Sequence, residues 1–347
     1  MKRLCGVLFL FYSVGSDMYA QHLSDSIHHA LISEGIDLTL RQNYEAADSI
    51  FKIVSKRFPD HPSGYMYQAA VLQTRSMDFV LPLHREVFDS LLEIAENLSD
   101  ALISTTPDSP WGYYYLATAR GYDAFARVER GDWFGGFRIG LSAASQFKTC
   151  IKKDPLFYDA FAGLGTYYYW KSRKIEFLNW LPFISDDRSE GIRLLQQCSK
   201  LGSYNRFVAL SALVRIFVDA GQFQQSEEAA REALSSYPMN RLFLWGLSGG
   251  FWKAGKKQEA AETYATLLNS IVTDRIPNPY PELLCRLNIV SLQLALGDSA
   301  GVDAHLQLLL SFESYDFPED LKPKAMAKFE EARNIRSLLK NHRVSGN

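Results

Sequence analysis

Apolar and small residues recur along this chain at two fixed intervals, and each interval has the length of a pair of helices. The shorter interval is 34 residues, and it relates Leu210, Leu213, Phe217, Gly221 and Ser226 to Leu244, Leu247, Phe251, Gly255 and Ala260. The longer interval is 48 residues, and it relates Ala47 to Ala95 and Ala143, and Pro59 to Pro107 and Pro155. Intervals of this size indicate an array built from one repeated supersecondary unit.

Turn and packing residues occupy regular places within each unit. Gly221 and Gly255 suit the left-handed turn that ends the first helix of a pair. Pro155 and Pro238 follow the second helix, where proline stops a helix and redirects the chain. A small residue such as Gly165 allows a neighbouring helix to approach closely. Because a single helix pair exposes an apolar face, the pairs must stack, and the sequence predicts an all-α solenoid.

The chain resembles the tetratricopeptide-repeat family. The family pattern W-x2-L-G-x2-Y, then A-x3-F, then P is approached by Phe161, Leu164, Gly165 and Tyr168, and by Ala143, Phe147 and Pro155. The resemblance runs from about Ile27 to at least Leu310. It implies an α-solenoid over residues 21–347 with about six to seven helical hairpins, some with elongated helices, and a C-terminal capping helix at about 319–341.

Three stretches depart from the plain repeat. Leu81–Thr105 is expected to lengthen a second helix, and Trp111–Arg130 a first helix. The third stretch is an aromatic insert at about 171–186 that contains Trp180 and Phe183. This part is similar to a group of exported bacterial repeat proteins with an aromatic insert at the equivalent place. The insert either packs onto the array or forms a wedge that contacts a partner or a membrane.

Helical spacing also indicates which side chains of the first helices face the groove inside the array. On that register the candidate partner-binding residues are Trp111, Tyr114, Tyr122, Tyr169, Trp170, Arg215, Trp245 and Trp252. Tryptophan, tyrosine and arginine dominate interaction hot spots, because a rigid ring buries a large area at little entropic cost. We therefore expect an aromatic-lined groove. The alternative is that several of these rings pack between adjacent units.

The N-terminus has the layout of a secretory signal peptide over residues 1–20. Lys2 and Arg3 precede an apolar stretch from Leu4 to Val14, and small or polar residues follow as far as Ala20. The apolar stretch is about half of the roughly 20 residues that a membrane-spanning helix needs. The sequence thus predicts an exported protein that is periplasmic, outer-membrane-associated or secreted.

Composition and charge narrow the classes of function. Apolar residues make up 47% and charged residues 22% of the 347, which is ordinary for a globular chain. The formal net charge of −2 supplies no positive field that would attract nucleic acid. Beyond the signal peptide, Cys150, Cys198 and Cys285 form no C-x-x-C pair. Cys150 and Cys198 lie on apolar helix stripes and are expected in the core.

No constellation in the sequence points to catalysis. The seven histidines form no H-E-x-x-H motif and no i, i+4 pair. The glycine pairs at 135–136 and 249–250 lack the Lys-Ser or Lys-Thr of a phosphate-binding loop. Carboxylate pairs such as Asp186-Asp187 lie in polar stretches without the contrasting environments that catalysis needs. We therefore predict a protein that is not an enzyme and that has no cofactor and no metal site.

Two functional hypotheses follow. The first is a scaffold of the bacterial cell envelope that holds an extended peptide or a partner helix in its groove, with Arg215 or Lys253 fixing the orientation. The second is a structural component of an outer-membrane-associated assembly, with peripheral membrane contact through Trp180 and Phe183. The identity of the protein or peptide partner stays open.

Overall fold

The computed structural model describes residues 25–174, 176, 185–298 and 301–345, with side chains as far as residue 339. The predicted signal peptide at 1–20 lies outside these residues. So do Trp180 and Phe183 of the predicted aromatic insert.

Fifteen α-helices make up most of the regular structure of the described residues, and a short 3-10 helix lies at Phe312–Ser314. The first eight helices are α1 Ser26–Leu40, α2 Tyr44–Arg57, α3 Ser63–Phe79, α4 Arg85–Thr105, α5 Pro110–Glu129, α6 Trp133–Lys153, α7 Asp159–Lys174 and α8 Arg188–Leu201. The others are α9 Arg206–Asp219, α10 Phe223–Ser236, α11 Arg241–Lys253, α12 Lys257–Thr273, α13 Tyr280–Ala295, α14 Val302–Ser311 and α15 Lys322–Ser345. The helices α4 and α5 have 21 and 20 residues, which confirms the expected elongation, and α6 is elongated as well, with 21 residues.

Each odd-numbered helix up to α13 pairs with the next helix along the chain, which gives seven successive pairs. Gly221 and Gly255 end α9 and α11 with φ values of 71° and 74°, the left-handed turn that the repeat pattern predicts. Each pair also packs against the following pair. The all-α solenoid predicted from the sequence is therefore confirmed.

The first helices form the inner layer of the array. From α1 to α11, each first helix contacts the first helix of the next pair, whereas successive second helices in the described residues are farther apart. Closer spacing on one side curves the stack towards that side. The side formed by the first helices is called the inner face below, and the side formed by the second helices is the outer face.

The core runs along the whole array between the two layers. One cluster of buried apolar side chains extends from α1 to α13, and a second joins α13, α14 and α15. Cys150 and Cys198 are fully buried in the first cluster and are free thiols, as predicted. At the C-terminal end, α15 buries Ala325, Phe329 and Ala332 against the last pair.

Candidate partner-binding surface

The N-terminal half of the inner face is filled by aromatic side chains that pack on one another. Trp111 of α5 lies with its ring centre 4.7 Å from that of Phe157 and 6.1 Å from that of Tyr204. Tyr114 is fully buried, and its hydroxyl accepts a hydrogen bond from Asn205 Nδ2 at 3.0 Å. These contacts therefore connect α5 to the loops before α7 and α9.

A buried carboxylate holds the loop that carries Tyr204. Asp159 of α7 is fully buried and accepts hydrogen bonds from the backbone N–H groups of Ser203, Tyr204 and Asn205 at 3.3, 2.9 and 2.8 Å. Burial raises the pKa of Asp159 to about 6, although these three donors favour the charged form. Sequence reasoning missed Asp159, because its partners lie more than 40 residues later in the chain.

The first units also reach units much later in the chain. We call the following hydrogen bonds the closure contacts, since they join α1 and the turn after it to the loops before α9 and α11. His29 Nδ1 lies 2.7 Å from the Tyr204 hydroxyl, Tyr237 donates to Asp37 at 2.9 Å, Asn240 donates to the Leu40 carbonyl at 2.8 Å, and the Arg241 backbone N–H donates to Gln42 at 2.7 Å. The curvature of the array is therefore tight enough to bring its early and late units together.

An ion pair lies at the centre of this closure. The side chains of Arg241 and Asp78 are only 1% and 9% exposed, and Arg241 Nε lies 2.8 Å from Asp78 Oδ1. Arg241 also pairs with Asp274, and the Tyr44 hydroxyl donates to Asp78 at 2.8 Å. Burial alone would lower the pKa of Arg241, but hydrogen bonding and the charge of Asp78 outweigh it and raise that pKa. The guanidinium is thus a fixed cation between α3 and α12.

The inner face is open to solvent at α9 and α11. Val208 and Arg215 of α9 are exposed, and so are Leu242 and Trp252 of α11. The two helices approach closely, since a Cβ atom added at Gly246 would lie only 2.4 Å from Val214 Cγ1. Apolar side chains and a cation therefore share one surface, which we call the α9–α11 surface.

The predicted groove residues fall into three groups. Tyr114 and Tyr169 are buried, so neither offers a surface to a partner; Tyr169 instead donates to Asp219 Oδ2 at 2.7 Å. Trp111, Tyr122, Trp170 and Trp245 are half-buried against the core, and Trp245 packs edge-on to Tyr264. Arg215 and Trp252 are exposed.

The protonation behaviour of Tyr122 and Arg215 fits a position inside the curved array. Burial raises the pKa of Tyr122 to about 12. Burial also lowers the pKa of Arg215, against the opposing charge of Glu129. The Arg215 side chain is nevertheless exposed to solvent. Other parts of the protein therefore lie close to it on several sides but leave it accessible. That is the environment expected of a residue that lines a groove.

Two histidines next to the aromatic cluster make the stability of the fold depend on pH. His28 Nε2 and His61 Nδ1 lie 2.7 and 2.9 Å from Ser63 Oγ. Burial lowers the pKa of His28 to about 4 and that of His61 to about 3. The fold favours the neutral form of both rings, so their stabilisation is complete above pH 6.5 and is lost as the pH falls towards about 4 for His28 and about 3 for His61. Asp159 acts oppositely, because its raised pKa stabilises the fold as the pH falls below about 6.

We expect the free energy of unfolding to be about 3 kcal/mol lower at pH 5 than at pH 7.5, since protonation of each of the two histidines costs about 2 kcal/mol and Asp159 returns about 1 kcal/mol. Urea titrations at the two pH values measure this difference. The His61→Gln variant should show a pH dependence weaker by about 2 kcal/mol. An unchanged pH dependence in that variant would contradict the assignment to His61.

Two kinds of site are not found in the described residues. No group of three or more His, Cys, Asp or Glu side chains there is arranged to hold a metal ion. None of the helices that the structure describes combines the length and the apolar character needed to cross a membrane.

Comparison with known proteins identifies the repeat family of one segment of the chain. A model of the tetratricopeptide repeat matches residues 211–275, which lie within the pairs α9–α10 and α11–α12. No curated protein matches the chain. A tetratricopeptide-repeat protein of Thermus thermophilus is a similar solved structure, with 17% identity, 65% of this chain and 99% of that chain covered, and a TM-score of 0.43.

Two further solved structures have comparable similarity. The C-terminal part of a repeat protein from Cytophaga hutchinsonii is 12% identical, with 86% and 98% of the two chains covered and a TM-score of 0.46. A tetratricopeptide-repeat protein of Parabacteroides merdae is 13% identical, with 87% and 98% covered and a TM-score of 0.37. The matched model thus shows a tetratricopeptide repeat at residues 211–275, and the stacked helix pairs continue the same all-α architecture through the described residues.

Proposed function

We propose that this protein is a scaffold without enzyme activity that binds an extended peptide or a partner helix on the α9–α11 surface. The tetratricopeptide-repeat fold supports a role in protein–protein interaction. The observation that carries the proposal is the exposure of Leu242 and Trp252 on α11 and of Arg215 on the neighbouring helix α9.

The chemistry of the surface indicates what kind of segment it binds. Val208, Leu242 and Trp252 offer apolar area, and a tryptophan in this setting is a typical hot-spot residue. Arg215 and Lys253 add exposed cations on the same helices. A segment with apolar side chains and a carboxylate fits this combination, because the carboxylate can pair with a cation while the apolar side chains bury the ring.

The cell envelope is the proposed location. The support is the signal-peptide layout of residues 1–20, with its basic start, short apolar stretch and small residues before Ala20. In that location the partner would be another envelope protein or an exported peptide.

The proposed surface is tested by the double variant Leu242→Ala/Trp252→Ala. Affinity capture from an envelope fraction, with quantitative mass spectrometry, identifies the partners of the wild-type chain. We expect binding of the main partner to weaken by at least about tenfold in the variant, because truncating one hot-spot residue costs about 1–2 kcal/mol. A binding titration with the purified partner measures the loss.

A matched control distinguishes this loss from a general effect on the array. Val272 is exposed on α12, in the same unit but in the outer layer. Its replacement by alanine should leave the affinity within about twofold of the wild type, since isolated surface contacts contribute little. Equal partner lists and affinities for the double variant and the wild type would rule out the α9–α11 surface.

A further inference from the structure

The helices of the pair α5–α6 are longer than those of the pair α9–α10. These helices have 20 and 21 residues, whereas α9 and α10 have 14 each. Six or seven additional residues extend a helix by about 10 Å. The turn between α5 and α6 is therefore the end of a long hairpin, which we call the hairpin tip.

The hairpin tip carries large apolar side chains in solvent. Phe134 is 83% exposed, and Trp133, Phe137 and Leu141 are each about half exposed. All four belong to the first nine residues of α6. Single exposed apolar residues are common, but a contiguous group of this size marks a contact surface.

The same side of α6 continues as a basic stripe. Seven exposed positions of the helix lie within about 100° of one another on the helical wheel, and they are Phe134, Phe137, Arg138, Leu141, Ser145, Lys148 and Lys152. The apolar members lie towards the hairpin tip, and the lysines lie towards the other end. No residue of α6 is acidic, although the whole chain has a formal net charge of −2.

Neighbouring acidic residues offset only part of this pattern. Lys148 interacts with the charge of Asp187 and lies 5.3 Å from the centre of the Tyr168 ring. Asp132 at the start of α6 forms ion pairs with Arg127 and Arg130 at 3.3 and 3.9 Å. Lys174 adds another cation, 4.7 Å from the centre of the Trp133 ring. The preceding outer helix, α4, is different, because it contains five acidic residues and one basic residue. The positive stripe therefore does not continue onto α4, whereas α8 on the other side of α6 has three basic residues and one acidic residue.

The chemistry of this surface decides between possible occupants. Two copies of the chain joined by α6 would bring Arg138, Lys148 and Lys152 against the same cations of the second copy, which is unfavourable. An exposed apolar end suits a soft surface into which side chains can insert. Aromatic and leucine side chains on one helix side, together with lysine and arginine, are the composition of helices that lie in the interface of anionic bilayers.

We propose that the α6 surface binds an anionic lipid bilayer peripherally. Trp133, Phe134, Phe137 and Leu141 insert into the interface, and Arg138, Lys148 and Lys152 contact the lipid phosphates. This surface is on the outer face, whereas the proposed partner segment binds on the inner face. The protein thus holds its partner next to a membrane surface.

Co-sedimentation of the purified chain with lipid vesicles tests the proposal. We expect binding to vesicles that contain phosphatidylglycerol, weaker binding to phosphatidylcholine alone, and a loss of binding at high salt, because screening removes the electrostatic part. The variant Phe134→Ser/Phe137→Ser should reduce the partition coefficient by at least about tenfold, since two large side chains no longer insert. Arg138→Gln/Lys152→Gln should abolish the preference for phosphatidylglycerol.

The matched control is Val87→Ser/Ile94→Ser, which removes exposed apolar side chains from the acidic helix α4. It should bind vesicles like the wild type. Equal binding by the phenylalanine variant and the wild type, or no binding by the wild type, would overturn the proposal. A dimer seen by analytical ultracentrifugation that the phenylalanine variant abolishes, without vesicle binding, would assign the surface to a second copy. Partner capture by the phenylalanine variant should be unchanged, which separates this test from that of the α9–α11 surface.

Discussion

The variant Asp78→Asn should lower the free energy of unfolding by about 3 kcal/mol, because it leaves the buried Arg241 guanidinium without its main counter-charge. Asp274 still neutralises part of that charge, but its side chain is 47% exposed and its interaction is therefore more strongly screened. Urea denaturation followed by circular dichroism measures the loss. Small-angle X-ray scattering should also show a larger radius of gyration if the closure contacts open.

An exposed ion pair provides the control for Asp78. Arg206 and Glu232 form a 3.0 Å pair in which both side chains are 45% exposed. Glu232→Gln should change the stability by less than about 0.5 kcal/mol, as exposed pairs contribute little. The double variant Asp78→Leu/Arg241→Met should recover at least half of the loss, because it removes the unpaired charge itself. A loss below about 1 kcal/mol in Asp78→Asn would contradict the importance of this pair.

The second large effect is expected at the crossing of α7 and α8. A Cβ atom at Gly191 would lie 2.6 Å from the Gly165 carbonyl oxygen and 3.0 Å from the Tyr169 backbone nitrogen. These neighbours are backbone atoms, so the helices themselves must move apart. We expect Gly191→Ala to lower the free energy of unfolding by about 2–3 kcal/mol, even though alanine favours helix by about 1 kcal/mol.

Gly121 gives a control of opposite sign. It lies within α5, and a Cβ atom there would meet no atom within 4 Å. Gly121→Ala should therefore stabilise the protein by about 0.5–1 kcal/mol, through the unfolded state and helix propensity alone. Thermal and urea unfolding of the two variants compare them directly. A Gly191→Ala protein as stable as the wild type would show that the crossing is not tightly packed.

The local features of the fold could be predicted because they repeat with the chain. Gly221 and Gly255 each end a first helix, and the small residue at 165 permits a close helix crossing. Each of these features depends on contacts within one or two units. A regular pattern in the sequence is therefore sufficient to predict these local features.

The closure contacts could not be predicted in the same way. Arg241 and Asp78 are 163 positions apart, and no periodic signal connects them. Their meeting depends on the curvature accumulated over several units, to which each unit adds a small rotation. A sequence pattern determines which neighbouring helices pair. It does not determine the total rotation accumulated over several units.

The candidate groove shows a related limit. Helical spacing indicates the direction of a side chain but not how deeply it is buried. Tyr114 and Tyr169 are buried by later units, where their hydroxyls form hydrogen bonds with Asn205 and Asp219. The burial of the aromatic residues in the N-terminal half of the inner face could therefore not be predicted from the sequence. Of the predicted groove residues, Arg215 and Trp252 are exposed.

The contacts between early and late units affect how the whole chain unfolds. In a linear repeat array each unit is coupled only to its neighbours, so terminal units fray first and partially unfolded states accumulate. Here the loss of α1 removes the hydrogen bonds that Tyr237 and Asn240 make to it. Melting at the beginning of the chain therefore weakens units far along it, and the ends of the array share one cooperative transition.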